Sequence, residues 1–175
     1  MALVFGMSRI LAKRESQLRV GAADVQIPRR GMIFTVGLKP GIIPMALKYH
    51  RPDFVAFICT SESDSIVEEL VSAFEYDSGH YKKKPVDPIN IKEIRDETRI
   101  LLDWMEEKGL QNDEIAADVT GGMVPMSLGV FSAAEERNID CQYIKSEYDK
   151  EKNRPKEGTQ NQVLISPQKE LADGH

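Results

Sequence analysis

The sequence predicts an α/β Rossmann-like domain, a mostly parallel sheet with helices on both faces. Three observations carry that expectation. Short β-rich apolar runs recur at 32–36, 54–59, 115–119 and 140–144, and helix-like stretches separate them. The run 54–59 (Phe-Val-Ala-Phe-Ile-Cys) is apolar at every position, as in a strand buried on both faces. Strands that alternate with helices are joined by right-handed crossovers, which makes neighbouring strands parallel.

Taken in order, the run 32–36 ends in Gly37-Leu38-Lys39-Pro40-Gly41, and a helical stretch over 42–50 leads to Pro52. After strand 54–59, Thr60-Ser61 closes the run, and Ser61 with Asp64 fits a capping box. Ile66, Leu70 and Phe74 then recur every four residues as the core stripe of a helix. Residues 76–87 are polar and read as a short strand or irregular loop, with Lys82-Lys83-Lys84 as a solvated run. A long helix is predicted over 90–108, capped by Asn90 with Glu93 at the third position and ended by Gly109. Strand 115–119 runs into Thr120-Gly121-Gly122, and Pro125 suits the first turn of a helix reaching Arg137. Strand 140–144 follows, then a polar loop over 150–162, and Val163-Leu164-Ile165 adds an edge strand. The organisation expected is a segment 1–30, a Rossmann-like domain 31–166 and a tail 167–175.

The chain has 175 residues and a net charge of −5, so it lacks the basic balance that duplex nucleic acid demands. Its two cysteines, Cys59 and Cys141, lie far apart in apolar runs, and His50, His80 and His175 are scattered. That pattern speaks against a structural zinc site and for reduced core thiols in a cytoplasmic protein. No cofactor is expected. No apolar stretch reaches the roughly 18 residues of a membrane span. Residues 2–11 are nonetheless apolar and are followed by Arg14, Arg19, Arg29 and Arg30. They read as an amphipathic first helix, and the cytoplasmic end of a membrane anchor stays open beside it.

In parallel α/β sheets, ligands bind beyond the carboxyl ends of the strands. That singles out three loops, 37–41, 60–63 and 120–127. The strongest signal is Asp118-Val119-Thr120-Gly121-Gly122-Met123-Val124-Pro125-Met126-Ser127. Two glycines let the backbone turn tightly, the following helix offers unpaired N–H groups, and Thr120 and Ser127 add hydroxyls for an anionic ligand. A tight turn with no ligand remains the alternative. The segment is neither G-x-G-x-x-G nor a Walker A loop, and no G-x-S-x-G occurs, so dinucleotide, ATP and serine-hydrolase sites lose their anchors.

A strand ending in Asp-x-Thr-Gly-Gly, followed two residues later by a helix start containing Met126-Ser127, resembles the CARF domains (CRISPR-associated Rossmann fold). The likeness extends over residues 31–165, with a first-strand loop and Thr60-Ser61 in the matching order. Where that family commonly has Thr-Lys after the glycines, this chain has Met123-Val124. The resemblance implies a sensor of cyclic oligoadenylate in type III CRISPR antiviral defence, acting as a homodimer that drives an effector. Cyclic tetra-adenylate is the first expectation and cyclic hexa-adenylate the second. The implied ligand-binding residues are Gly37, Leu38, Lys39, Pro40, Thr60, Ser61, Asp118, Thr120, Gly121, Gly122, Met123, Val124, Met126 and Ser127, with adenines near Thr60-Ser61 and phosphates at 120–123. A membrane-type effector is the specific output expected. The alternatives are a stand-alone, metal-independent ring nuclease using Lys39 and Ser127, or a Rossmann-like domain with no CRISPR role.

Overall fold

Strands that read as unbroken apolar runs have to be covered on both faces, and here they are. A computed structural model describes residues 19–20, 29–39, 41–152, 154–156, 159 and 161–165. Five strands form the parallel core of the sheet: β2 (Gly31–Thr35), β3 (Phe54–Cys59), β4 (Tyr81–Pro85), β5 (Ile115–Asp118) and β6 (Asp140–Lys145). Four helices connect them: α1 (Ile43–His50), α2 (Asp64–Ala73), α3 (Ile91–Glu107) and α4 (Val124–Glu135). The chain then makes a hairpin of β7 (Tyr148–Asp149) and β8 (Arg154–Pro155) before β9 (Asn161–Leu164) returns antiparallel to β6. A two-residue strand, β1 (Arg19–Val20), pairs parallel with β9. The sheet order is β1-β9-β6-β5-β2-β3-β4.

Alternation along the strands divides the core in two. Met32, Phe34, Val55 and Phe57 point to the face covered by Ile43, Ala46 and Leu47 of α1 and Val67, Leu70 and Val71 of α2. Ile33, Ala56, Ile58, Ala117 and Cys141 point to the other face, under Ile94, Leu101 and Met105 of α3 and Met126, Val130 and Ala134 of α4. The α3 helix carries the chain from β4 back across the sheet to β5, so the winding direction reverses between β2 and β5. A crevice is expected where the helices diverge at that reversal.

The long helix begins and ends as its sequence predicts. The Asn90 side chain accepts from Glu93 N at 3.2 Å, and Gly109 takes φ +85°, the left-handed region that glycine tolerates. Elsewhere the structure corrects the sequence reading. The α2 helix buries Val67, Leu70 and Val71, and Ile66 and Phe74 of the expected stripe pack half-buried against the same cluster; its start lies at Ser63 and not at Ser61. Ser61 turns outward to Glu62, and the reciprocal pair is Thr60 with Ser63: Thr60 N donates to Ser63 Oγ at 2.9 Å and Ser63 N to Thr60 Oγ1 at 3.2 Å. Lys82-Lys83-Lys84 is no solvated loop. It is strand β4, where Lys83 pairs with Asp64 and Glu68, Lys84 with Glu97 at 2.6 Å, and Lys82 lies over the Trp104 ring. The polar stretch 150–162 contains β8 and the start of β9, and β9 is not at the edge, since β1 pairs beyond it.

Most of segment 1–30 and all of the tail 167–175 lie outside the described residues. Of that first segment, Arg19–Val20 forms a strand. Arg29 is buried, donating to Asp113 O and pairing with Asp140. No helix among the described residues is long and apolar enough to cross a membrane. Cys59 and Cys141 are buried, and burial pushes the Cys59 thiol up to about 11, which keeps it protonated near neutral pH.

Candidate functional site

All five parallel strands point their carboxyl ends to one pole of the sheet, and all four helices begin there. The positive ends of the helix dipoles therefore converge on that pole. At its centre, between β2 and β5, the turn Thr120-Gly121-Gly122 folds down onto the end of β2. The glycines are required by that approach rather than by an unusual φ. A Cβ built on Gly121 would stand 2.6 Å from Thr35 O, and one on Gly122 would stand 2.6 Å from Thr35 Cβ. From the opposite side, a Cβ on Gly37 would stand 2.4 Å from Gly121 O. Contact that close admits no side chain, so the first-strand loop and the Gly-Gly turn form one continuous backbone surface.

Hydrogen bonds fix this surface from beneath. Gly122 N donates to Thr35 Oγ1 at 3.0 Å, and Ser63 Oγ donates to Val36 O at 3.0 Å, which ties in the loop after β3. Asp118 accepts from Thr120 N at 3.0 Å and from Gln142 Nε2 at 2.8 Å. Thr120 Oγ1 accepts from Ile144 N at 2.8 Å. Burial raises the Asp118 pKa above the ordinary carboxylate value, and the hydrogen bonds from Gln142 and Thr120 pull it back only in part. The turn then passes through Met123 into α4, which has no side-chain cap and carries Pro125 in its first turn. The uncapped N–H groups of that turn face outward with the dipole behind them.

The residues singled out from sequence fall into two groups. Gly37, Thr60, Thr120, Gly121 and Gly122 are brought together around the turn, and Leu38, Lys39, Met123 and Val124 stand exposed at its rim. Asp118 is 2% exposed and Met126 is fully buried among the α3–α4 core, so both support the turn from within this chain. Ser61 is exposed but directed at Glu62, and the Ser127 hydroxyl donates to Val119 O at 2.9 Å, which leaves it only acceptor capacity. Pro40 lies outside the described residues. Sequence reading passed over Thr35, Ser63, Gln142 and Gln162. The available signals were a polar residue ending a buried central strand (Thr35), the Thr60-x-x-Ser63 spacing, and a glutamine at an inward strand position (Gln142).

Two concavities lie at the other pole. One of about 890 Å³ is lined by Arg30, Lys48, Arg51, Asp53, Glu75 and His80 among others, and one of about 630 Å³ by Glu106, Leu110 and Arg137 among others. Helix C-termini, with their negative dipole ends, border the first of these. Among the described residues no group of His, Cys, Asp and Glu is arranged to hold a metal ion.

The topology defines a Rossmann-like α/β domain with the Thr120-Gly121-Gly122 turn at its topological switch point. Solved structures share the fold. Can2 from Sulfobacillus thermosulfidooxidans in complex with cyclic tetra-adenylate aligns with 67% of this chain at 15% identity and a TM-score of 0.55. The protein VC1899 from Vibrio cholerae aligns with 66% at 14% identity and 0.53. Enterococcus italicus Csm6 bound to cyclic hexa-2'-fluoro-hexa-dAMP aligns with 67% at 16% identity and 0.52. The aligned region is 33%, 30% and 34% of those chains, so this chain matches about a third of their length. No protein-family model matches the sequence, and no curated protein does.

Proposed function

We propose that this chain is a sensor domain that binds cyclic oligoadenylate, cyclic tetra-adenylate foremost, across a homodimer interface and so activates an effector in type III CRISPR defence. The observation that carries the reading is the Thr120-Gly121-Gly122 turn, a side-chain-free backbone surface running into an uncapped helix start at the switch point. Such a surface suits phosphates. Two of the solved structures that share the fold hold cyclic oligonucleotides.

The shape of the site supports a dimeric reading. One chain offers an open surface with an apolar rim: Leu38 is 74% exposed, Val124 72% and Met123 50%. A ring with two-fold symmetry fits two copies of such a half-site facing each other, and the rim residues would then be covered. Lys39 stands exposed beside the turn and supplies a cation to a phosphate. Binding, not cleavage, is favoured because the Ser127 hydroxyl is committed to Val119 O and Met123-Val124 offers no charged or nucleophilic group. A membrane-type output rests on residues 2–30 of the sequence alone.

Calorimetric titration with cyclic tri-, tetra- and hexa-adenylate tests this reading. Saturation at one ring per two chains is expected, with the tetra-adenylate tightest. Binding to none of the rings overturns it. Linear products after incubation with cyclic tetra-adenylate would instead establish the ring-nuclease alternative.

A further inference from the structure

Beneath the turn runs a chain of buried polar side chains that the ligand reading does not itself use. Gln142 on β6 donates from Nε2 to Asp118, and Gln162 on β9 donates from its own Nε2 to Gln142 Oε1. Asp118 is 2% exposed, Gln142 0% and Gln162 8%. Polar groups buried to that degree persist only when their partners satisfy them, and both amide bonds here donate toward Asp118. Asp118 accepts from Thr120 N and from Gln142 Nε2, so Gln142 presents its NH2 group to it. That leaves Gln142 Oε1 facing Gln162, which in turn has to present NH2. The polarity of the whole row is thus set from the ligand turn and reaches β9, the strand that pairs with Arg19–Val20.

We infer that Gln142 and Gln162 are positioning residues: through Asp118 they hold the Thr120-Gly121-Gly122 turn in its ligand-receiving shape and tie it to strand β9. The inference rests on the ligand reading for its functional sense, while the polarity of the row is a property of the unliganded chain. Asp118 anchors the turn directly, since it accepts from Thr120 N, and Thr120 Oγ1 accepts from Ile144 N, whose residue lies opposite Gln162 in the β6–β9 register. A change at position 162 therefore reaches the turn by two routes.

Reversing the polarity from the far end tests this. Gln162→Glu places an acceptor-only group where Gln142 already presents an acceptor, and Gln142 cannot turn its NH2 outward without abandoning Asp118. In Asp118→Asn/Gln162→Glu all three side chains can reverse together: the new amide donates to Gln142 Oε1, and Gln142 Nε2 donates to the carboxylate at 162. Two measurements read the effect: calorimetric affinity for cyclic tetra-adenylate, and residue-resolved hydrogen exchange of the Thr120 and Ile144 amides without ligand. Gln162→Glu is expected to weaken binding about tenfold and to speed exchange of both amides about tenfold, and the double variant to restore both within about threefold. Wild-type behaviour of the single variant, or a double variant no better than the single, overturns the inference. If Gln162→Glu does not fold, Gln162→Leu gives the same readout in the same direction and smaller, and unchanged Thr120 exchange in that variant overturns the inference as well. If the wild-type chain binds no ring, the ligand reading fails, yet the exchange rates still decide whether the row positions the turn.

Discussion

The two poles of the sheet differ in the ends of the helices that border them. The amino pole holds a hollow of about 890 Å³ in which part of the charge is paired: Arg30 with Asp53 and Glu114 at 2.9 Å each, and His80 with Asp77 at 2.7 Å. Helix C-termini border it, so an anion gains nothing from the backbone there. At the carboxyl pole the backbone surface, the helix starts and the exposed Lys39 all favour negative charge. The size of a cavity measures how much could fit, whereas the direction of the peptide dipoles decides what is attracted.

That contrast can be broken most forcefully at the amino pole. Arg29→Ala removes the cationic half of a pair whose side chains are 4% and 9% exposed, and removing one partner of a buried pair costs about 3–5 kcal/mol. Chemical denaturation should show that loss, while ring affinity per folded chain stays unchanged. A parallel loss of affinity at full folding would mean that the poles are coupled more tightly than the contrast allows.

At the carboxyl pole, Gly121→Ala drives a methyl group against Thr35 O, and overpacking of this kind costs about 1–3 kcal/mol. Here stability and ligand affinity should fall together. Gly79→Ala at the amino pole meets only the Asp77 carboxylate at 3.2 Å and should stay within about 0.5 kcal/mol of wild type. Equal thermal unfolding midpoints for the two alanine variants would show that the Gly-Gly turn yields.

Acidity separates the poles as well. Because burial raises the Asp118 pKa in the folded chain, its charged form is disfavoured there. The stability tied to its neutral form is complete below the unfolded-chain value, near 3.8, and is lost as pH rises through the raised folded value. Asp118→Asn abolishes that dependence. Wild type should therefore gain stability relative to the variant as pH falls from 7 toward 4, as followed by urea titration across that range. Asp77 behaves oppositely: its hydrogen bond from His80 lowers its pKa, which yields stability at higher pH that is lost on acidification.

The smallest expected change in folding accompanies a large change in binding. Val124→Glu sets a carboxylate at the exposed start of α4, where the helix dipole favours it by about 0.3–1 kcal/mol. The same charge occupies the proposed phosphate position and burdens the apolar rim. Thermal stability should hold or rise slightly, ring binding should vanish, and light scattering should report monomers. A variant that still dimerises and binds would remove α4 from the site.

The course of the chain was legible in the sequence because apolar runs and helix stops act locally. Phe54–Cys59 was read to the residue, and Asn90, Glu93 and Gly109 bounded α3 as expected. The Thr120-Gly121-Gly122 turn was legible for a related reason, since adjacent glycines between a strand and a helix are a local signal. What escaped was what distant segments do to one another. Lys83 is held on a strand by Asp64 and Glu68, and Ser63, not Ser61, starts α2 and carries a hydroxyl that reaches across to Val36 O. The requirement for glycine at 37 and 121 comes from each lying under the other's neighbourhood, a relation that no window of sequence contains.

Strand β4 closes one side of the sheet, and its composition governs how copies of this chain can meet. Pro85 has no N–H to offer an incoming strand. Lys83 and Lys84 are bound to the chain's own helices, so a neighbour would have to displace those ion pairs to align with them. An edge furnished in this way resists growth by strand addition. On this side of the sheet, open-ended, fibre-like growth is thereby disfavoured.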